Sequence, residues 1–197
     1  MGKFMDSNRL QDLQQALQHR SLWDFALAFY AQPGVEQACL TLQDAADVDV
    51  CELLFHGWLY CHGLQAKREV LADISRERAH WQRQFTEPLR HLRRELKPQA
   101  AEDEAIDTLR KSIKTAELQA ERVNLQRWQQ WAQASEHVSQ RLEEVDDSMQ
   151  DRSIWLQNRL FFAKFDSASL SGSRVCDGIS PALECLASQL DHCKSPR

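Results

Sequence analysis

The sequence predicts an all-α protein: a compact helical bundle with one long helix and a flexible C-terminal tail. Three observations predict it. Only six glycines and five prolines occur in 197 residues, too few for the turns of an all-β chain. Apolar residues recur at three- and four-residue spacing in most segments, the period of a half-buried helix. Ser, Thr or Asp opens most of those segments, where a side-chain oxygen can cap free backbone N–H groups. No segment alternates as a strand does.

At the N-terminus, "SNRLQDLQQALQHR" places Leu10, Leu13 and Leu17 on one helix face, with Ser7 as its cap. "SLWDFALAFYAQ" opens on Ser21 with Asp24 three residues on, a variant of the capping box. Pro33 and Gly34 mark a turn. Val35, Ala38, Cys39 and Leu42 then form a buried stripe. In "DVDVCELLFHGWLYCHG", Asp49 and Glu52 repeat the capping pattern ahead of a helix that is apolar nearly all round. Such a helix is central, covered by neighbours on several sides. Glu52 and His56 fall on its narrow polar strip, Gly57 allows another helix to approach, and Gly63 ends it.

Residues 66–84 and 87–97 read as two helices or one bent one, with Thr86 capping the second and Pro88 in its first turn. Their core positions are Val70, Ile74, Trp81, Phe85, Leu89, Leu92 and Leu96. Ile106, Leu109, Ile113, Ala116, Ala120 and Val123 define the seam of a long helix, which resumes from Trp131 through Val138, Leu142, Val145 and Met149. Asp151 or Ser153 caps a short helix running to Phe165, "DSASLSGSRVCDG" has linker composition, and Ser180–Pro181 opens a terminal helix. The organisation expected is a compact helical domain over 1–99, then the long helix and a short return helix over 100–165. A linker over 166–180 and a terminal helix with tail over 181–197 complete it.

Composition narrows the function classes. No secretory h-region opens the chain, and the longest wholly apolar stretch, Phe25 to Ala31, is far short of a membrane span. The six cysteines fit no zinc spacing. A cytoplasmic protein with reduced, buried thiols is expected. The net charge of −5 argues against a general nucleic-acid binder. It is uneven: residues 1–66 hold three basic and eight acidic groups, residues 67–100 nine basic and five acidic.

Four segments, "LWDFALAFYAQPGVEQACLTLQD", "DVDVCELLFHGWL", "PLRHLRRELK" and "IKTAELQAER", occur in that order. Over about residues 21–125 the chain resembles a proteobacterial family of conserved hypothetical helical proteins, a domain of unknown function. The resemblance implies a bacterial, intracellular, helical protein and carries no catalytic residues.

Each candidate site competes with a plainer structural role. Glu52 and His56 share a helix face as zinc ligands can. However, Cys51 and His62 lie about 16 Å apart along the rise, so the ligands do not converge and no metal is expected. Asp146, Asp147 and Asp151, with Asp44, Asp47 and Asp49, resemble magnesium-binding runs. They sit where helices end, as aspartate caps do. No nucleophile elbow, P-loop or dinucleotide fingerprint is present, so no catalytic residue or cofactor is expected.

The basic segment is the stronger candidate. Arg76, Arg83, Arg90 and Lys97 recur every seven residues beside Arg93 and Arg94. The leading expectation is a non-enzymatic protein acting by protein–protein contact through that face, with homodimerisation through the long seam as a further possibility. The alternatives are a small-ligand protein or enzyme with a pocket near Trp23, Asp24, His56 and Trp58, or association with RNA or the ribosome through residues 67–97.

Overall fold

The computed structural model describes residues 15, 17–134, 138–145, 151–165 and 173–193. Ser7, Leu10, Leu13, Asp146, Asp147, Met149, residues 166–172 of the expected linker and residues 194–197 lie outside them. Among the described residues the chain is all-α apart from one short strand pair.

Helix α1 (Leu22–Tyr30) starts as expected. Ser21 accepts from the Asp24 N–H at 3.0 Å and donates its hydroxyl to the Asp24 carboxylate at 2.6 Å. The Pro33–Gly34 turn, with Gly34 at φ 82°, leads into α2 (Val35–Ala46), whose stripe Val35, Ala38, Cys39 and Leu42 is buried. Helix α3 (Val50–Cys61) is capped by Asp49, which accepts from the Cys51 N–H at 2.8 Å. Glu52 accepts the Ser75 hydroxyl at 2.6 Å.

Helix α3 lies at the centre, contacted by α1, by the long helix over 104–133 and by the helices over 152–165 and 173–193. Residues Leu53 to Tyr60 are all buried. His56 is among them, against the expectation of a polar edge: it is fully buried, and neither ring nitrogen has a hydrogen-bond partner among the described residues. The strip that pattern left polar is covered because neighbours close over every side of this helix. Trp58 donates its indole N–H to the Arg20 carbonyl at 3.0 Å, satisfying the one polar atom its ring buries.

After Gly63, β1 (Leu64–Ala66) pairs antiparallel with β2 (Leu142–Glu144), Leu64 opposite Glu144. The expectation of no strand is corrected here. Three residues are too few to show alternation, and all three of β1 are buried, so no sequence period marks the pair. Its partners are distant in sequence. Trp155 donates to the Gln65 side chain at 2.9 Å, and Arg159 donates to the Ala66 carbonyl at 2.8 Å, meeting one backbone acceptor of β1.

Helix α4 (Arg68–Trp81) passes through a π turn (Gln82–Thr86) into α5 (Glu87–Glu95), forming one bent rod. Helix α6 (Glu104–Gln133) is the long helix, capped by Asp103, which accepts from Ala105 and Ile106 N–H. Its buried seam is Ile113, Glu117, Ala120, Asn124 and Trp128. Leu109 and Ala116, expected in the seam, are exposed. Polar Glu117 and Asn124 occupy inward positions that hydrophobic pattern alone assigns to neighbours. The short α7 (Val138–Arg141) leads into β2, so Leu142 belongs to the sheet and not to a continued helix.

Helix α8 (Arg152–Phe165) is capped by Asp151. Helix α9 (Ser173–Cys193) begins before the expected Ser180–Pro181 start and holds Pro181 inside it. Its buried stripe of Ile179, Leu183, Leu186 and Leu190 already begins ahead of the proline. Helix α9 packs on α2, α3 and α8.

Gly57 is where α9 and α1 both come close. A Cβ there would stand 3.0 Å from Leu190 Cδ2 and 3.4 Å from Phe25 Cζ. A Gly57→Val variant is expected to lose about 2 kcal/mol of unfolding free energy through overpacking, read by urea denaturation. An unchanged midpoint would show that α9 does not hold this position.

Candidate functional site

The rod from α4 to α5 carries the basic segment, and the π turn decides which way it faces. A continuous α-helix would keep Ile74, Trp81, Phe85 and Leu92 on the core side. The wider turn shifts the phase of the residues within and after it: Gln82 and Thr86 are buried, while Phe85 and Leu92 are each 44% exposed. Phe85 and Leu92 are thus corrected as core positions, and Thr86 makes no side-chain cap. The same shift turns Arg90 and Arg93 onto α6.

There they meet two carboxylates. Arg90 donates to Glu117 at 3.0 Å and to Glu121 at 2.8 Å, and Arg93 also donates to Glu117, in part at 3.2 Å. Burial works to raise the Glu117 carboxyl, but the hydrogen bonds and charges of Arg93 and Arg90 outweigh it and hold the group below its ordinary value. Glu121 is pushed up, chiefly by burial. Because Glu117 is almost fully buried, these are charge-assisted bonds in a poorly solvated setting, stronger than surface pairs.

The rest of the expected basic face is dispersed. Arg76 pairs with Asp73 at 3.3 Å in full solvent, and Arg94 reaches Asp44 of α2 at 3.6 Å. Arg83 and Lys97 are exposed and have no ion pair among the described residues. Two of the six predicted contact cations are therefore internal struts.

Trp23, Asp24, His56 and Trp58 do not form one pocket. Asp24 is exposed and bonded to its own cap, while His56 and Trp58 are buried. Burial, with the Arg159 charge added, pushes the His56 imidazole down to about 3, so it stays neutral. Trp23 alone lines a concavity. It is an apolar groove of about 280 Å³ between α1, α3 and α6, floored by Ala26, Leu54 and Leu125. Leu27 and Leu118 stand on its walls, 52% and 44% exposed, and Arg93, Arg94 and Lys114 on its rim. Leu27, Leu118 and Lys114 escaped sequence reasoning because each sits on the outward face of its helix, where apolar residues are common and carry no signal.

A second concavity, about 520 Å³, lies on the far side of Arg90 and Arg94, between the α2–α3 corner and the rod. Asp49 faces it. Burial pushes its carboxyl up to about 6 against the lowering effect of the backbone N–H groups it accepts from.

These features define the class: an all-α bundle with two adjoining concavities. Among the described residues, no cluster of three or more His, Cys, Asp or Glu side chains could hold a metal, and no helix is long and apolar enough to cross a membrane. The family model for a protein of unknown function, DUF2390, matches residues 21–128, and the chain belongs to that family. No curated protein and no solved structure matches the chain.

The electrostatics generate two expected outcomes. Asn at position 49 keeps the acceptor for the Cys51 N–H and removes a poorly solvated charge. Asp49→Asn is expected to stabilise the protein at pH 7 by about 1–2 kcal/mol. A raised carboxyl costs stability only where the unfolded chain is ionised, so the advantage should shrink as pH falls from about 6 to below 3.8. Denaturation curves at several pH values check both the sign and the window. Glu117→Ala should instead cost about 3 kcal/mol by removing the carboxylate that pairs Arg93 and one of the two that pair Arg90. In the wild type that contribution is lost as pH falls through the lowered Glu117 value. A loss below about 0.5 kcal/mol would contradict the strut role.

Proposed function

We propose that the protein acts by contact, docking an acidic amphipathic helix of a partner protein in the groove between α1, α3 and α6. The observation that carries this is that Leu27 of α1 and Leu118 of α6, two large apolar side chains left exposed, line one groove. Scattered exposed leucines need no explanation, but an apolar floor with apolar walls does. Helix-in-groove recognition uses anchors spaced three and four residues apart, which suits a trough bounded by helices.

Charge selects the partner's sign. Four cations, Arg90, Arg93, Arg94 and Lys114, line the groove against two carboxylates, Glu117 and Glu121. Arg90 and Arg93 are neutralised by those two. Arg94 and Lys114 supply the excess, which favours Asp or Glu flanking the apolar anchors. Arg94 has only the solvent-exposed Asp44 nearby, a weak competitor.

The internal use of Arg90 and Arg93 also weighs against RNA, since it removes two of the cations a polyanion would need. The seam of α6 is filled by the protein's own α3 and rod, which weighs against a homodimer through it.

A library of helical peptides displayed on phage and selected on the full-length protein tests the proposal. Enriched peptides should combine i, i+4 apolar anchors with acidic flanks. Their affinity, read by isothermal titration, should fall at least about tenfold on Leu27→Asp and severalfold on Lys114→Glu. Peptides that bind these variants as well as wild type, or a selection that enriches none, would overturn the groove as the docking site.

A further inference from the structure

Six large apolar side chains stand exposed among the described residues. Leu27 and Leu118 line the groove already described. Three of the other four, Phe85 and Leu92 on the rod and Leu109 on α6, line neither concavity. Trp81 fixes the side on which they lie. It donates to the Ala120 carbonyl at 3.1 Å, its ring centroid is 4.3 Å from that of Phe85, and Arg127 lies over it at 4.2 Å. Arg90 and Arg93 leave the same rod on the groove side, towards Glu117 and Glu121. At 100° per residue Leu109 shares the azimuth of Arg127, so the three apolar side chains fall on one face, turned away from the groove.

The outer side of α6 continues that face. Ala105, Leu109, Ser112, Ala116, Gln119 and Val123 follow one another at alternating four- and three-residue spacing, the period of a helix seam. None is charged, and all but the half-buried Val123 are exposed. A helix face that meets only water is normally charged; this one is not. Ser112 and Thr115 donate their hydroxyls to the Thr108 and Lys111 carbonyls, each at 3.1 Å, so a neighbour can cover them without stranding a donor. The face lies outside the buried seam of Ile113, Glu117 and Ala120, which the protein's own helices fill.

Charge along its edge selects the occupant. Glu104 and Arg122 share one azimuth about five turns apart. Both are exposed, and neither has an ion pair among the described residues. Arg122 sits 5.3 Å from the Trp23 ring, which orders the guanidinium and leaves its charge unanswered. A second copy running antiparallel sets Glu104 of each chain opposite Arg122 of the other, so both charges are met twice about one two-fold axis. A parallel copy would set like against like.

We propose that the protein forms an antiparallel homodimer through this face, α6 against α6, covering Phe85, Leu92 and Leu109 and pairing Glu104 with Arg122 across the two-fold axis. None of these residues lines the groove, so this proposal and the docking proposal succeed or fail separately.

Sedimentation equilibrium of the full-length protein tests this. A reversible monomer–dimer equilibrium in the micromolar range is expected, because one helix face with a few apolar anchors makes an interface at the small end of the usual sizes. Leu109→Glu should weaken it at least about tenfold. Ile154→Glu, which alters an exposed apolar residue on α8, should leave it unchanged. Glu104→Arg and Arg122→Glu should each weaken it severalfold, and the variant carrying both should return to within about twofold of wild type. Every altered side chain is exposed, so the core is kept in all of these variants. Monomer alone up to about 0.5 mM would overturn the proposal. So would open-ended association, equal weakening by Leu109→Glu and Ile154→Glu, or a double variant that does not recover.

Discussion

Burial of α3 on all sides is the constraint on which the rest of the structure depends. Its residues Leu53 to Tyr60 are removed from water, and so continuous an apolar surface has to be enclosed from several directions. Helices α1, α6, α8 and α9 and strand β1 each take one sector. Phe55 stacks on Trp128 of α6 at 4.5 Å and Tyr60 meets Trp155 of α8 at 4.9 Å. Gly57 admits α9 and α1 closely, since a Cβ there would press on Leu190 and Phe25. The β pair serves the same end, since the chain leaving α3 would otherwise bury unpaired backbone at residues 64–66.

Enclosing one helix so fully has electrostatic consequences at its start. The α3 N-terminus needs a cap, and Asp49 supplies it from a poorly solvated position. The rod must then approach that end without leaving its own charges stranded. The π turn resolves this by rotating Arg90 and Arg93 towards Glu117 and Glu121, so that α5 is held to α6 by ion pairs where α4 is held by Leu71 and Ile74. Helix α5 buries no residue completely, which fits an element positioned by charge and not by apolar area. The two concavities lie on either side of this rod because ion pairs leave more open space than packed leucines do.

Legibility in the sequence divides along the range of the interaction. Caps at Ser21, Asp49 and Asp151, the Pro33–Gly34 turn and the close approach at Gly57 were legible, because each depends on neighbours within a few residues or on one side chain's absence. The all-round apolarity of α3 announced its central place. The β pair was not legible, since its partners Gln65 and Glu143 lie far apart in the chain and each strand is three residues long. Nor was the π turn, because one extra residue in a turn leaves no mark on composition. That single omission misplaced Phe85 and Leu92 and made the basic segment look like one free face. The groove escaped for a related reason: Leu27 and Leu118 become a pair only when α1 and α6 are brought together.

The two concavities are not electrostatically separate. Gln43, Gln82, Arg90 and Arg94 line both, so the wall between them is made of long polar side chains and not of packed core. Arg90 is fixed by two carboxylates on α6, but Arg94 is held only at 3.6 Å by an Asp44 that is itself largely in water. A pair of that kind is worth at most about 1 kcal/mol. Arg94 can therefore turn towards Asp44 and the second concavity or towards the groove at little cost.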